Sequence, residues 1–181
     1  FQKSVNDVQN LPNQCRHGYI VKVANSRMSD EDDYYLQFRG ENNLDGTGSW
    51  VECALPNITK TLTNMPLVIQ RTAATEFTVR QFDYAERLVG DTITNPMPTF
   101  VGKRINKELN IRNRLAILSG ENEVLSRPGS LGQPDFFIET ALTVSASDPI
   151  DISAASMFPS EIYDGIEINA GLLVFSSNQQ F

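Results

Sequence analysis

The sequence predicts a mainly β fold of short antiparallel strands and hairpins in two modules. Three observations carry that prediction. Apolar and polar residues alternate over short runs, as in Gly18–Val23 and Asp33–Phe38. Turn-forming Gly, Asn, Asp and Pro residues punctuate those runs at close intervals. The stretch 111–129 reads as a hairpin: Leu115 and Ile117 face Val124 and Leu125, and Ser119-Gly120-Glu121-Asn122 makes the turn.

From the start of the chain, Ser4 to Gln9 fits a short helix, with Ser4 as cap, Val5 and Val8 on one face, and Pro12 stopping it. Gly18–Val23 is a strand with Tyr19, Val21 and Val23 in phase. The polar stretch 25–32 returns the chain as a hairpin into the strand 33–38, where Tyr34, Leu36 and Phe38 share a face. Residues 42–48 read as a loop because of Asp45-Gly46 and Thr47-Gly48. Ser49 to Leu55 follows as a strand, with Trp50 and Glu52 on one face and Val51, Cys53 and Leu55 on the other.

Met65–Arg71 and Glu76–Arg80 predict two more strands around Thr72-Ala73-Ala74-Thr75. Residues 81–89 fit either a short helix or an irregular strand. The prolines of Thr94-Asn95-Pro96-Met97-Pro98 force extended backbone on the residues before them. They suggest a module at 1–93, a Pro-rich linker at 94–100 and a second, incomplete module at 101–181. In that module Arg127-Pro128-Gly129 stops the hairpin strand. Phe136–Val144 fits a strand or a loop edge, an extended piece starts at Asp148-Pro149-Ile150, and 162–169 is mixed. Gly171–Ser176 is expected to be a mostly buried strand.

The chain has 181 residues, 40% hydrophobic and 20% charged, with a formal charge of −7. That composition can build a core. Lys103-Arg104 and Arg112-x-Arg114 are its densest basic spots, which is no phosphate-neutralising stripe of the kind nucleic-acid binders carry. Cys15 and Cys53 permit one disulfide, but a reduced compartment leaves such residues as small hydrophobes. No apolar run is long enough to span a bilayer. The abrupt ends, Phe1 and Phe181, suggest an interior piece of a longer polypeptide.

Chemistry is sparse in the sequence. Asp30-Glu31-Asp32-Asp33 lacks the alternating ligands and central Gly of a helix-loop-helix calcium loop and reads as a solvated hairpin tip. His17 is the sole histidine, which rules out sites that need two, and it fits a turn before a strand. Neither a nucleophile elbow nor a phosphate loop is present. Expected catalytic, cofactor-binding and metal-binding residues are therefore none. A carboxylate pair, such as Glu52 with Asp33 or Asp148 with Asp151, is the one mechanism left open. Acids such as Asp30, Asp32, Asp45 and Asp164 are expected at turns, where solvent keeps them ionised. Arg112 and Arg114, if they alternate on one strand, share a face that suits inter-subunit ion pairs or an ordinary exposed edge.

Ordered pieces across the chain add a resemblance. They begin with Leu11-Pro12, Gly18–Val23, Asp33–Phe38, Trp50-Val51-Glu52 and Met65-Pro66. They continue with Arg87-Leu88-Val89-Gly90-Asp91, Thr94-Asn95-Pro96-x-Pro98 and Phe100-Val101-Gly102. They close with Arg112-Asn113-Arg114-Leu115, Leu118–Asn122, Leu125-Ser126-Arg127, Asp148-Pro149-Ile150-Asp151 and Gln180-Phe181. Together they resemble the tail nozzle family of short-tailed phages, the tail tubular B proteins. The chain departs from the family at Leu109-Asn110-Ile111, where an aromatic pair is usual, and at 131–139, which lacks an aromatic-Asn-Phe pattern.

The resemblance implies a structural virion component of the phage tail, with no enzymatic activity and no cofactor. It implies a homo-hexameric ring in the full-length protein, below the portal and gatekeeper ring, that extends the DNA ejection channel and helps hold the tail fibres. It also implies a propeller-like part. An acidic lining would let DNA pass without specific binding, and no membrane anchor is expected. The alternative from another class is a virion-associated polysaccharide or peptidoglycan hydrolase that uses a carboxylate pair.

Overall fold

The computed structural model describes residues 3–25, 29–30, 32–129, 132–155, 160–169 and 171–177. Within them the fold is mainly β, as the alternation predicts. The chain forms two compact units, each assembled from three stretches of sequence. Unit 1 is Phe1–Lys60, Arg87–Pro96 and Ile138–Ala146; unit 2 is Thr61–Glu86, Met97–Phe137 and Ser147–Phe181.

Unit 1 is built on five strands: β1 (Ser4–Val5), β2 (Gln14–Cys15), β3 (Ile20–Val23), β4 (Tyr34–Gly40) and β5 (Gly46–Cys53). Their order is β1-β3-β4-β5-β2, with β1 parallel to β3 and the other pairs antiparallel. Alternation explains the core. Val21 and Val23 on β3 meet Tyr34 and Leu36 on β4, Val5 joins from β1, and Tyr19 and Trp50 pack against them. The Trp50 ring lies edge-on to Phe38, with centroids 5.2 Å apart.

Three expectations for this unit need correction. Ser4–Gln9 is not a helix: Ser4 and Val5 pair with Lys22 and Val23, and only Val8–Asn10 forms a 3-10 turn. Asp7, not Ser4, caps that turn by accepting the Gln9 N–H at 2.9 Å. Backbone pairing with β3 outweighs the weak capping signal of Ser4. Residues 46–48 are not loop but the start of β5: Gly46 and Thr47 pair with Cys15 and Gln14 of β2, and Gly48 with Gly40 of β4. Gly48 permits this approach, because a Cβ there would lie 2.2 Å from the Arg39 carbonyl oxygen. Asp33 is not part of a solvated tip; it is buried beside Lys22. The rest of the 25–32 connection closes a β3–β4 hairpin as expected, and residues 26–28 and 31 lie outside the described residues.

Unit 2 holds β6 (Leu67–Arg71), β7 (Phe77–Gln81), β8 (Lys107–Ile111), β9 (Arg114–Ser119), β10 (Asn122–Leu125), β11 (Ile150–Ser153), β12 (Ile162–Ile168) and β13 (Gly171–Ser176). The β6–β7 pair is a hairpin on its own, β12–β13 is another, and the central sheet runs β11-β10-β9-β8. The expected hairpin is present: Ser119 pairs with Asn122 and Leu125 with Ala116, with Gly120 at a φ of +60° in the turn. One face of this sheet packs Ile117 and Val124 against Phe100 and Phe136, and the other buries Ile111, Ala116 and Leu125.

The strand β8 was not anticipated. Ile111 pairs with Arg114, so Arg112 and Asn113 form a two-residue turn with φ values of 45° and 62°. This overturns the placement of Arg112 and Arg114 on one strand face. Residues 82–88 form no helix, and 136–144 form no strand. Residues 162–168 are a full strand, and β13 is mostly half-buried, with Val174 alone fully buried in it. Asp164 therefore lies in β12 rather than at a turn, where it pairs with Lys107 at 3.1 Å.

Candidate functional site

The residues that carry the sequence resemblance are tied into the fold rather than gathered around a cleft. In unit 1 the Trp50 indole Nε1 donates to the Pro12 carbonyl at 3.0 Å. Glu52, on the inward face of β5, accepts the Thr140 hydroxyl and the Ala141 N–H, both at 2.6 Å. One carboxylate thereby joins β5 to residues 138–146.

The Arg87–Asn95 stretch forms a second knot. Arg87 is fully buried and its Nη1 reaches the Asp91 carbonyl at 3.4 Å. Asp91 accepts the N–H groups of Ile93 and Thr94 at 2.8 and 3.0 Å, and the Tyr35 hydroxyl at 3.3 Å. Burial opposes ionisation of Asp91, but those bonds outweigh it and hold the carboxyl below the usual carboxylate range. Burial lowers the Arg87 guanidinium, and Asp91 opposes that shift. Asn95 closes the knot by donating to the Val89 carbonyl at 3.0 Å and accepting the Ile138 N–H at 3.2 Å. Gly90 turns the chain at a φ of +72°, where a Cβ would meet the Thr94 hydroxyl at 2.7 Å.

Unit 2 repeats the pattern. The Nη1 of Arg114, buried rather than exposed, donates to the carbonyls of Ser126 and Asp148, each at 2.8 Å. The Ser126 hydroxyl accepts the Leu115 N–H at 2.9 Å and extends the ladder by one step. Asp151 accepts the Thr99 N–H at 2.8 Å and the Thr99 hydroxyl at 2.6 Å. Arg127 pairs with Asp135 at 3.2 Å, and the other oxygen of Asp135 accepts the Phe137 N–H at 2.9 Å.

Each candidate from the sequence thus has a place. Asp33 takes Lys22 and the Asn25 N–H, Glu52 takes Thr140 and Ala141, and Asp151 takes Thr99, so these acids serve separate contacts. The His17 Nδ1 accepts the Gly40 N–H at 3.2 Å, and the His17 backbone N–H donates to the Asp45 carboxylate at 2.8 Å, which fixes it as a turn residue. Cys15 and Cys53 are both free. Glu31 lies outside the described residues. Among the described residues no three His, Cys, Asp or Glu side chains converge on a common point that could hold a metal. No helix among them is long and apolar enough to cross a membrane.

The two strands read at 65–71 and 76–80 are present as the β6–β7 hairpin, but sequence reasoning missed two surface features of unit 2. One is the outward face of that hairpin, whose Leu67, Ile69, Phe77 and Val79 are each 61–69% exposed. The alternation of Phe77-Thr78-Val79-Arg80, facing the apolar run Leu67-Val68-Ile69 across 72–75, was the available signal. The other is an apolar groove of about 350 Å³ lined by Ile111, Leu125, Ile150, Ile152 and Leu172, with Glu123 and the two arginines beside it. A second cavity, of about 190 Å³, lies between the β6–β7 hairpin and β8. Burial, reinforced by Glu108, pushes the Tyr84 hydroxyl there up to about 12.

Short β-sheets, polar side chains spent on internal stitching and apolar faces turned to solvent define a structural assembly protein. Comparison with known proteins agrees. The bacteriophage nozzle protein family matches residues 1–181, and the chain belongs to that family. It is 30% identical over 173 residues to the tail tubular protein gp12 of Escherichia phage T7. That match covers 94% of this chain and 21% of the relative, so the chain spans about a fifth of the relative's length. The protein is a structural component of a phage tail and resides in the virion.

Proposed function

We propose that this chain is part of a nozzle ring, six copies around, that extends the DNA ejection channel and supports the tail fibres. In this reading it works without catalytic chemistry, gatekeeper ring and fibres are its neighbours, and DNA passes through without sequence-specific contacts. The observation that carries the reading is the use of the motif residues. Trp50, Glu52, Arg87, Asp91, Asn95, Arg114 and Asp151 all hold backbone or side-chain partners within their own unit. Residues so engaged fix shape, and shape is what a ring subunit must preserve. The net charge of −7 repels a polyanion and favours its free passage.

Electron microscopy of the full-length protein tests the ring: closed six-fold particles are expected, and monomers at assembly concentrations would sink the reading. The non-catalytic part is tested on capsular polysaccharide and peptidoglycan, which the protein should leave intact. Reproducible turnover that vanishes in Glu52→Gln or Asp151→Asn, with the fold retained, would establish a hydrolase instead.

A further inference from the structure

We infer that the outward face of the β6–β7 hairpin of one copy seats in the β10–β11 groove of the next copy around the ring. This inference rests on the ring reading above and adds which surfaces meet.

The hairpin presents an unsatisfied apolar face. Its register pairs Ile69 with Val79 and Arg71 with Phe77, and sets Leu67 opposite Gln81. Leu67, Ile69, Val79 and Phe77 therefore lie together on one side, each more than half exposed. The hairpin pairs with no other strand among the described residues. A two-stranded sheet alone is marginal in water. A contiguous apolar patch of a few hundred Å² marks an interaction surface rather than ordinary exterior.

The groove is its counterpart on a different part of the same unit. Leu125, Ile150, Ile152 and Leu172 give it an apolar lining that Arg112 and Arg114 also share, their guanidiniums resting on the carbonyls of Asn169 and of Ser126 and Asp148, and β11 is the edge strand of its sheet. Glu123 lies in that lining, and its carboxylate makes no side-chain hydrogen bond or ion pair among the described residues. An unpaired carboxylate held against apolar side chains is costly, and an incoming cation relieves that cost. The hairpin carries one on the correct face. Arg71 follows Ile69 in phase and forms no ion pair, its guanidinium resting on the carbonyls of Ala73 and Ala74.

Patch and groove are distinct surfaces of one chain, so their contact is heterologous. Such a contact repeated head to tail can close into a ring when its rotation closes, whereas a self-matching patch stops at a dimer. A stable interface buries roughly 1,200–2,000 Å² in all, more than a few side chains of one hairpin supply. The patch therefore forms the core of the subunit contact, within a larger interface.

Cross-linking in the full-length protein tests this, in a Cys15→Ser, Cys53→Ser background. Chains carrying Ile69→Cys are mixed with chains carrying Ile152→Cys, assembled, and treated with a short bis-maleimide. Linked dimers are expected from the mixture and not from either chain alone, and the double variant should give a ladder up to the full ring. Rings that form normally but link only within a chain, or not at all, overturn this inference and leave the ring reading intact. Failure of the unmodified protein to form rings overturns both. A charge exchange reads the same contact independently. Arg71→Glu should weaken assembly on the order of tenfold, and Glu123→Arg in the same chain should restore it. A double variant as poor as the single one overturns the inference.

Discussion

Glu52 and Thr140 lie 88 residues apart in sequence, yet their side chains meet at 2.6 Å while the second Glu52 oxygen holds the Ala141 N–H. No local pattern foretells this pairing, and it ties residues 138–146 to the central sheet of unit 1. Glu52→Ala should destabilise the protein by about 1–3 kcal/mol, because it leaves two donors without their acceptor. Glu52→Gln should cost less, since one amide oxygen can still accept. Chemical denaturation measures the difference, and equal stability of all three proteins would remove the contact from the ledger.

Lys22 and Asp33 make an ion pair in the same unit. Asp33, followed by Asp30, holds the Lys22 ammonium well above its ordinary value. A raised lysine contributes stability that is complete below its unfolded value of about 10.4 and fades as pH climbs through the folded value. The wild type should accordingly lose stability from this pair only in strong alkali. Lys22→Met strands the buried Asp33 carboxylate. The expected cost is about 2–3 kcal/mol near neutrality, below the range for fully buried pairs because Lys22 keeps some solvent contact. Chemical denaturation at pH 7 measures the deficit, and equal stability of variant and wild type would contradict the mechanism.

Gly48 faces Gly40 across β4 and β5, with backbone closing in from the Arg39 carbonyl. Gly48→Ala should destabilise by about 1–3 kcal/mol, as overpacking does, although alanine favours strand formation more than glycine. A neutral or stabilising outcome in a thermal melt would show that the strands separate at little cost.

Glu123 gives a pH dependence of the same sign in a lower pH range. Burial raises its carboxyl above the ordinary glutamate value. The unfolded chain then releases this proton first, so stability falls as pH rises from about 4.3 through the folded value. Glu123→Gln should raise the melting temperature of the unassembled protein at pH 7 and leave it unchanged at pH 4. Parallel melting curves at both pH values would show that Glu123 is solvated.

The strands with clean two-residue alternation were legible. Tyr34, Leu36 and Phe38 in β4, and the Leu115–Ser126 hairpin with its Gly120 turn, fall where the pattern puts them. The failures share a cause, which is that long-range pairing outranked a local signal. Ser4 looked like a cap but pairs with Lys22. Gly46 and Gly48 looked like a loop but run beside β4 and β2. Arg112 looked like a strand residue but turns the chain into β9 at positive φ. The buried roles of Arg87, Asp91 and Arg114 were hidden because their partners are backbone groups, which carry no sequence identity.

The backbone passes from one unit to the other near residues 60, 86, 96, 137 and 146. On the ribosome, the β5 strand emerges long before the segment that Glu52 must hold. Unit 1 therefore cannot mature until its last contributing stretch, Ile138–Ala146, has cleared the exit tunnel, by which time most of unit 2 has been synthesised. Vectorial folding, one module completed before the next begins, is closed to this chain. Premature termination anywhere before Ala146 leaves both units unfinished, so no truncated nascent product contributes a sound subunit to a tail.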